Sequence, residues 1–349
     1  MIPTFDTHEY DRYYCALITP YKADSLEIDY DAYRKHVRYF TQDPDFIKVN
    51  GALIVNPEAG EMFYMSDEER DNLAKIVLEE RPAGMPVFGG AFALRRDDTI
   101  KSALRAKAMG VDGIFVMPMA GTMEVTTALD GAKDPKIWTD HVRGIAEATQ
   151  LPLIIHPSHS YSREWGNALP GPTVKMVCEE VPSVVGWKMI YGNTAAHYRV
   201  CRILRTLGRH VAILNAPQQG FYTAKLIGMH DGEVYGSWNF LKEGMLKQYL
   251  SWEARDVDAS GDAYKNMVLP VNTLVYGKYH RLHVNYKIAA FVKGCCSHPF
   301  MRPPMPPPEY DELVAFHEAY KKTGVSHISR EELESVWAKK DTILNSTGW

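Results

Sequence analysis

Short apolar runs alternate with longer amphipathic runs along the first two thirds of the chain. The apolar runs lack the polar alternation of half-exposed strands, and parallel strands covered on both faces have this unbroken pattern. A helix-like pattern follows each run. The runs are YYCALITP (13–20), GALIVN (51–56), PVFGG (86–90), DGIFVMP (112–118), LPLIIHP (151–157), SVVGWKMI (183–190), HVAILNA (210–216) and GEVYGSW (232–238).

These eight strand–helix units favour a (β/α)8 TIM barrel over an open doubly wound sheet. Eight units within about 225 residues are typical of that barrel. The first run is followed by no glycine-rich dinucleotide-binding sequence, which also weighs against the open sheet. Helical patterns alone continue from residue 239, interrupted by the proline-rich stretch 301–308. The chain is therefore predicted to hold a catalytic barrel domain over 1–240 and a helical C-terminal extension over 241–349.

Composition narrows the functional class. The net charge is −4 and the chain has no basic tract, which argues against nucleic-acid binding. The first residues carry Asp and Glu where a signal peptide is positive, and no run approaches the about 20 apolar residues that span a bilayer. Five scattered cysteines indicate reduced thiols. We predict a cytoplasmic protein that does not bind membranes.

Lys188 ends the sixth apolar run, where it follows VVGW. The chemistry of such barrels lies at the carboxyl ends of the strands and in the loops after them. Burial between apolar strands lowers the pKa of a lysine, and the neutral amine is a nucleophile. The alternative is a strand-end lysine that extends to solvent.

Several segments are similar, in the same order, to those of the dihydrodipicolinate synthase / N-acetylneuraminate lyase family of Schiff-base aldolases. The resemblance extends over residues 13–325. It is carried by ALITPY, GALIVNPEAGEMFYMSDEER, GVDGIFVMP, HVRGIAEATQLPLIIH, VPSVVGWKMIYGN and FMRPPMPPPEYDEL.

This resemblance implies an enzyme in which Lys188 forms a covalent imine with a 2-oxo acid such as pyruvate. The iminium then accepts electrons during carbon–carbon cleavage or formation, or during dehydration. No metal and no other cofactor is implied. The family also implies a homotetramer or homodimer, with the C-terminal helices taking part in assembly.

His156 ends the fifth run, where the family usually presents a tyrosine that relays protons near the iminium. An imidazole can do the same work with a pKa nearer neutrality. We therefore predict that His156 is catalytic. The alternative is a histidine that only forms hydrogen bonds within its loop.

The loop after the second run also departs from the family, which has two threonines before its Gly-Glu pair. This chain has Glu58 and Ala59 there, followed by Gly60. The backbone N–H groups of Ala59 and Gly60 can still bind a substrate carboxylate. A Glu58 carboxylate would repel that anion unless it is protonated or turned away. Glu58 is therefore either an acid or base, a ligand for a substrate hydroxyl, or a solvated loop residue.

Two further departures argue against dihydrodipicolinate synthesis. The loop after the fourth run lacks the paired tyrosines of those synthases, and their dicarboxylate-binding arginine is missing after the fifth run. Arg163 lies nearby and could bind a substrate anion, and Tyr235 is expected to shape the substrate end. Tyr161 and Trp165 suggest an aromatic or bulky partner.

The sequence thus predicts a divergent lyase, an aldolase or hydratase-aldolase, that acts on another 2-oxo acid. One alternative is a catalytically altered member that binds a small metabolite without turnover. A metal-dependent barrel hydrolase is more distant, because His156 and His159 are not accompanied by the His-x-His pair that such enzymes have after strand one.

Overall fold

The computed structural model describes residues 1–117, 134–216 and 220–346, and within these ranges not the side chains of 159–162, 167 and 279. The predicted apolar runs form the barrel strands, and two further short strands follow the fifth run. The strands are β1 (Tyr13–Ala16), β2 (Gly51–Val55), β3 (Val87–Ala91), β4 (Gly113–Val116), β5 (Leu153–Ile155), β6 (Ser158–Ser162), β7 (Gly166–Ala168), β8 (Val184–Met189), β9 (Ala212–Asn215) and β10 (Gly232–Tyr235).

Eight of these strands close a barrel in the order β1-β10-β9-β8-β5-β4-β3-β2. The pairs from β2 to β10 are parallel wherever their register is defined. The strand residues of the barrel are buried almost without exception, which explains why their sequences do not alternate. The predicted (β/α)8 barrel is therefore confirmed.

Amphipathic segments between the strands form helices, and helices also make up the C-terminal part. They are α1 (Tyr30–Thr41), α2 (Pro44–Lys48), α3 (Asp67–Glu80), α4 (Arg96–Met109), α5 (Pro135–Thr149), α6 (Gly171–Glu180), α7 (Thr194–Arg205), α8 (Phe221–Leu226), α9 (Trp238–Glu253), α10 (Val257–Ala263), α11 (Leu269–Gly277), α12 (Leu282–Lys293), α13 (Tyr310–Thr323), α14 (Arg330–Trp337) and α15 (Lys340–Leu344).

Local sequence sets several helix boundaries. Ser66 and Glu69 form a capping box at the start of α3. A π-helix over Tyr264–Val268 separates α10 from α11. Pro270 lies at the start of α11, which directly follows this π-helical turn.

The chain forms two compact units, each built from three stretches. Unit 1 comprises Met1–Tyr14, Asn50–Glu58 and Ala83–Tyr235, and unit 2 comprises Cys15–Val49, Ala59–Pro82 and Gly236–Trp349. The division into domains at residue 240 stays a prediction. Among the described residues, no helix has both the length and the apolar composition needed to cross a bilayer.

Candidate active site

Lys188 and His156 lie level with each other at the carboxyl ends of neighbouring strands of unit 1. β5 and β8 are parallel, with Ile155 opposite Trp187, so the next residue of each strand is His156 and Lys188. The His156 backbone N–H donates to the Val116 carbonyl at 2.9 Å, which extends this register to β4. Parallel strands are about 4.8 Å apart, so side chains at the same level are neighbours.

Phe115 of β4 contacts both side chains. Its ring meets the His156 imidazole edge to face, with the centroids 5.6 Å apart. The Lys188 Nζ atom lies 5.7 Å from the centroid of the same ring. An aromatic ring therefore forms part of the surroundings of the amine, which limits the hydration of its charged form.

Glu58 completes the cluster in unit 1. Its Oε2 atom lies 3.1 Å from His156 Nε2, and its side chain is 33% exposed whereas that of His156 is 6% exposed. Glu58 opens a short 3-10 helix, Glu58–Gly60, directly after the turn that leaves β2. The carboxylate is thus joined to the imidazole, and the solvated-loop interpretation of Glu58 does not describe its position.

Left-handed residues and a close approach to β3 determine the path of the loop after β2. Asn56 and Glu61 both have left-handed backbone angles, with φ of 52° and 65°. A Cβ atom on Gly90 of β3 would lie 1.9 Å from the Asn56 carbonyl oxygen, so glycine is required where the loop passes this strand. The turn at Asn56 thus precedes Glu58, whose carboxylate lies at His156.

The environment favours a neutral amine. Loss of hydration lowers the pKa of Lys188 from 10.5 to about 8, while the negative charge of Glu58 opposes the shift. Burial lowers the pKa of His156 below its usual 6.5, and the positive charge of Lys188 lowers it further. The hydrogen bond and the charge of Glu58 partly restore the basicity of His156. An amine with a lowered pKa therefore lies beside an imidazole and a carboxylate, a set suited to imine formation and proton transfer.

The remaining predicted site residues lie in different surroundings. Ala59 is partly exposed and Gly60 is buried, and the Gly60 carbonyl accepts a hydrogen bond from Thr19 Oγ1 at 2.8 Å in unit 2. Tyr235 is 3% exposed at the end of β10. Arg163 is exposed in the turn between β6 and β7. The structure thus brings together Lys188, His156 and Glu58, and their roles stay predictions.

The loop after strand five holds a feature that the sequence pattern does not indicate. β6 and β7 form an antiparallel hairpin there. Trp165, in its turn, has one face covered by the Arg199 guanidinium, whose Cζ atom is 4.5 Å from the ring. The predicted role of the Tyr161 side chain, and that of the loop over 118–133, lie outside the described residues.

Among the described residues, one cluster offers three possible metal ligands. Atoms of His8, Asp11 and His210 lie within 4.8 Å of one another. The two imidazoles stack at 4.0 Å with an angle of 16° between them, and Asp11 joins them by hydrogen bonds. One nitrogen of each imidazole is hydrogen-bonded to the Asp11 carboxylate. Asp11 and His210 precede their strands, at the end of the barrel away from Lys188.

Sequence reasoning missed Phe115, which is one aromatic residue in an apolar strand and carries no separate signal. It also left the partner of Glu58 open. The adjacent strand order could have supplied that partner, because successive parallel strands bring the loops after β2 and β5 to the same end of a barrel.

Proteins of a known family resemble this chain in sequence. A sequence profile of the Dihydrodipicolinate synthetase family matches residues 9–323. The 4-hydroxy-tetrahydrodipicolinate synthase of Maridesulfovibrio salexigens is 28% identical over 180 residues, 52% of this chain and 55% of that protein. The probable 5-dehydro-4-deoxyglucarate dehydratase of Methylobacterium radiotolerans is 28% identical over 259 residues, 71% of this chain and 74% of that protein.

The likeness also holds in three dimensions. The solved structure of a monomeric dihydrodipicolinate synthase variant has a TM-score of 0.77 and 18% identity, with 93% of this chain and 100% of that one covered. At this identity the likeness shows the fold. The match to the Maridesulfovibrio synthase spans about half of that protein's length.

Proposed function

Because the chain belongs to the Dihydrodipicolinate synthetase family, we propose that it is a Schiff-base lyase that acts on a 4-hydroxy-2-oxo acid, by aldol cleavage or by dehydration. The observation that carries this proposal is the Glu58–His156 pair beside Lys188, whose pKa of about 8 leaves a useful neutral fraction. The relatives include a synthase and a probable dehydratase, which supports a lyase of the class I aldolase type.

In the covalent step, the neutral Lys188 amine attacks carbon 2 of the oxo acid. The carbinolamine takes up one proton on its hydroxyl group and loses water, which leaves a C=N⁺ iminium. The iminium is an electron sink for the bonds of carbon 3. The backbone N–H groups of Ala59 and Gly60 are proposed to bind the substrate carboxylate.

His156 is proposed to move the protons. If Glu58 accepts a hydrogen bond from Nε2–H, the lone pair of the neutral ring is on Nδ1, which has no hydrogen-bond partner within the described part of the chain. In cleavage, Nδ1 takes the proton of the 4-hydroxyl group while the C3–C4 electrons move to the iminium, giving an enamine and an aldehyde. In dehydration, a carbon 3 proton is removed, and the 4-hydroxyl group leaves as water after it takes up a proton.

The substrate is proposed to differ from that of the lysine-biosynthesis synthases. Glu58 stands where the family resemblance places a threonine, and it engages the imidazole instead of offering a hydroxyl group. A second anionic group on the substrate near this carboxylate would be repelled. We therefore expect a substrate with one carboxylate and a hydroxyl group near His156.

Reductive trapping tests this proposal. We expect that treatment with pyruvate and sodium borohydride adds one reduced pyruvyl group, and that peptide mass spectrometry places it on Lys188. Borohydride without pyruvate is the control for non-specific reduction. An unmodified Lys188 across a series of 2-oxo acids would overturn the proposal and leave a binding protein without imine chemistry.

The rate of trapping should depend on pH in a way that follows from the pKa of Lys188. With a pKa of about 8, about one amine in ten is neutral at pH 7, against fewer than about one in a thousand for an exposed lysine. The trapping rate at low pyruvate should rise about tenfold per pH unit below 8 and level off above it. It is measured by quenched borohydride reduction between pH 6 and 9.5.

Replacing Glu58 should move this profile. The Glu58 charge raises the pKa of Lys188, so Glu58→Gln is expected to lower that pKa and shift the midpoint to lower pH. Glu179→Gln, on the surface of α6, is the control and should leave the midpoint unchanged. A midpoint near 10 in the unaltered protein would show that Lys188 is hydrated like a surface lysine.

A further inference from the structure

Lys287 of α12 is a buried cation in unit 2 that the proposed mechanism does not use. Its side chain is 2% exposed, and its Nζ atom donates to Glu61 Oε1 at 2.7 Å. The Glu61 side chain is also 2% exposed. Removing one partner of such a pair leaves an uncompensated charge in the protein interior, which is strongly destabilising. The other contacts of Lys287 and Glu61 show which segments of unit 2 this ion pair connects.

The pair joins two loops of unit 2. Lys287 Nζ also donates to the Thr19 carbonyl, and it lies 4.1 Å from the centre of the Tyr21 ring. The Tyr21 hydroxyl group donates to the second Glu61 oxygen at 2.9 Å. Thr19 Oγ1 donates to the Gly60 carbonyl at 2.8 Å. Lys287 thus contacts the residues after β1 that in turn hold Gly60 and Glu61.

Glu61 needs this support because of its backbone. Its φ of 65° lies in the left-handed region, which is unfavourable for a residue other than glycine. Such a conformation persists where surrounding contacts fix it, and both Glu61 carboxylate oxygens are held. Ala59 and Gly60 directly precede this turn, and the Gly60 carbonyl accepts the hydrogen bond from Thr19.

We propose that Lys287 is a positioning residue that fixes the Ala59–Gly60 peptide groups for the substrate carboxylate, through Glu61, Thr19 and Tyr21. This inference rests on the proposed function, since it assigns these peptide groups to the 2-oxo acid. Lys287 contacts neither substrate nor reacting atoms. Its removal weakens binding of the carboxylate and leaves the chemistry of the Lys188 amine unchanged.

The test measures borohydride trapping over a range of pyruvate concentrations, at the pH where the rate has levelled off. For Lys287→Met we expect the half-saturating pyruvate concentration to rise roughly tenfold, equivalent to a modest loss of anion binding. The maximal trapping rate should stay within about twofold of the unaltered protein, because the Lys188 amine is intact.

Lys242→Met is a matched control. Lys242 of α9 is a second buried lysine of unit 2, at 4% exposure, and it pairs with Asp43 at 2.5 Å. Its contacts are with the Tyr39 carbonyl and ring and not with the 59–61 segment. Lys242→Met should lower thermal stability as Lys287→Met does, and it should leave the half-saturating pyruvate concentration unchanged.

The double variant Lys287→Met/Glu61→Gln distinguishes an effect on the position of the Ala59–Gly60 peptide groups from an effect on thermal stability. Removing both charges ends the burial of an unpaired ion, so thermal stability should recover relative to Lys287→Met. Half-saturation should stay raised, because the salt bridge that fixes Glu61 is absent. The inference is wrong if the double variant recovers both thermal stability and the normal half-saturating pyruvate concentration. It is also wrong if Lys287→Met leaves that concentration unchanged. Failure of the proposed function would be distinct, since the unaltered protein would then form no adduct.

Discussion

Replacement of Lys188 by methionine is expected to abolish the pyruvate adduct and to reduce 2-oxo acid turnover by at least about 10⁴-fold, a loss typical of a missing covalent nucleophile. Methionine has a similar length and no amine, so the packing at this position is largely kept. The measurement is release of pyruvate, or of the dehydrated oxo acid, from a panel of 4-hydroxy-2-oxo acids.

Folding stability should not fall in this variant. The pKa of Lys188 is lowered because its charge is poorly hydrated, so an uncharged side chain is tolerated at this position. Lys188→Arg is the companion variant, since a guanidinium stays protonated and cannot form the imine. Lys175→Met, on the exposed surface of α6, should keep full activity. Turnover by a folded Lys188→Met protein would contradict imine catalysis.

The second large effect is expected at His156. His156→Gln keeps an N–H donor near Glu58 but removes the basic ring, so turnover should fall by about 10²- to 10³-fold. Trapping of pyruvate on Lys188 should persist, because the amine and its surroundings remain. Turnover and trapping therefore distinguish proton transfer on the substrate from imine formation.

His141→Gln is the matched control for this substitution. His141 is a buried histidine of α5 whose pKa is lowered to about 4 by burial, and it packs edge to face on Trp138. His141→Gln removes a buried imidazole that lies outside the candidate site. Turnover by this variant should stay within about twofold of that of the unaltered protein. Equal losses in both variants would mean that His156 acts only through folding.

The barrel could be predicted from sequence because burial on both faces leaves a strong signal. Eight apolar runs correspond to the eight barrel strands, and Ser66 and Glu69 have the spacing of a capping box at the start of α3. The hairpin β6–β7 was missed because SHSYSREWG is short and polar and resembles a loop. Helix α2 had a signal that was not used, since Asp43 caps it and Pro44 opens it.

The site was predicted in part. The place of Lys188 and His156 follows from counting strand ends, since parallel strands in register carry their last residues to one level. The hydrogen bond between Glu58 and His156 comes shortly after the turn at Asn56, a left-handed conformation that the apolar pattern does not indicate. The Glu61–Lys287 pair joins residues 226 positions apart, and burial alone distinguishes Lys287 from a surface lysine of an amphipathic helix.

The interleaving of the two units limits how this chain can be recombined with its relatives. Unit 2 draws on Cys15–Val49 and Ala59–Pro82 as well as Gly236–Trp349. A chimaera made by exchanging the C-terminal helices alone would set a foreign α12 against the native Thr19, Tyr21 and Glu61. Family shuffling should therefore transfer the three stretches as one block, so that each buried charge keeps the counterion with which it evolved.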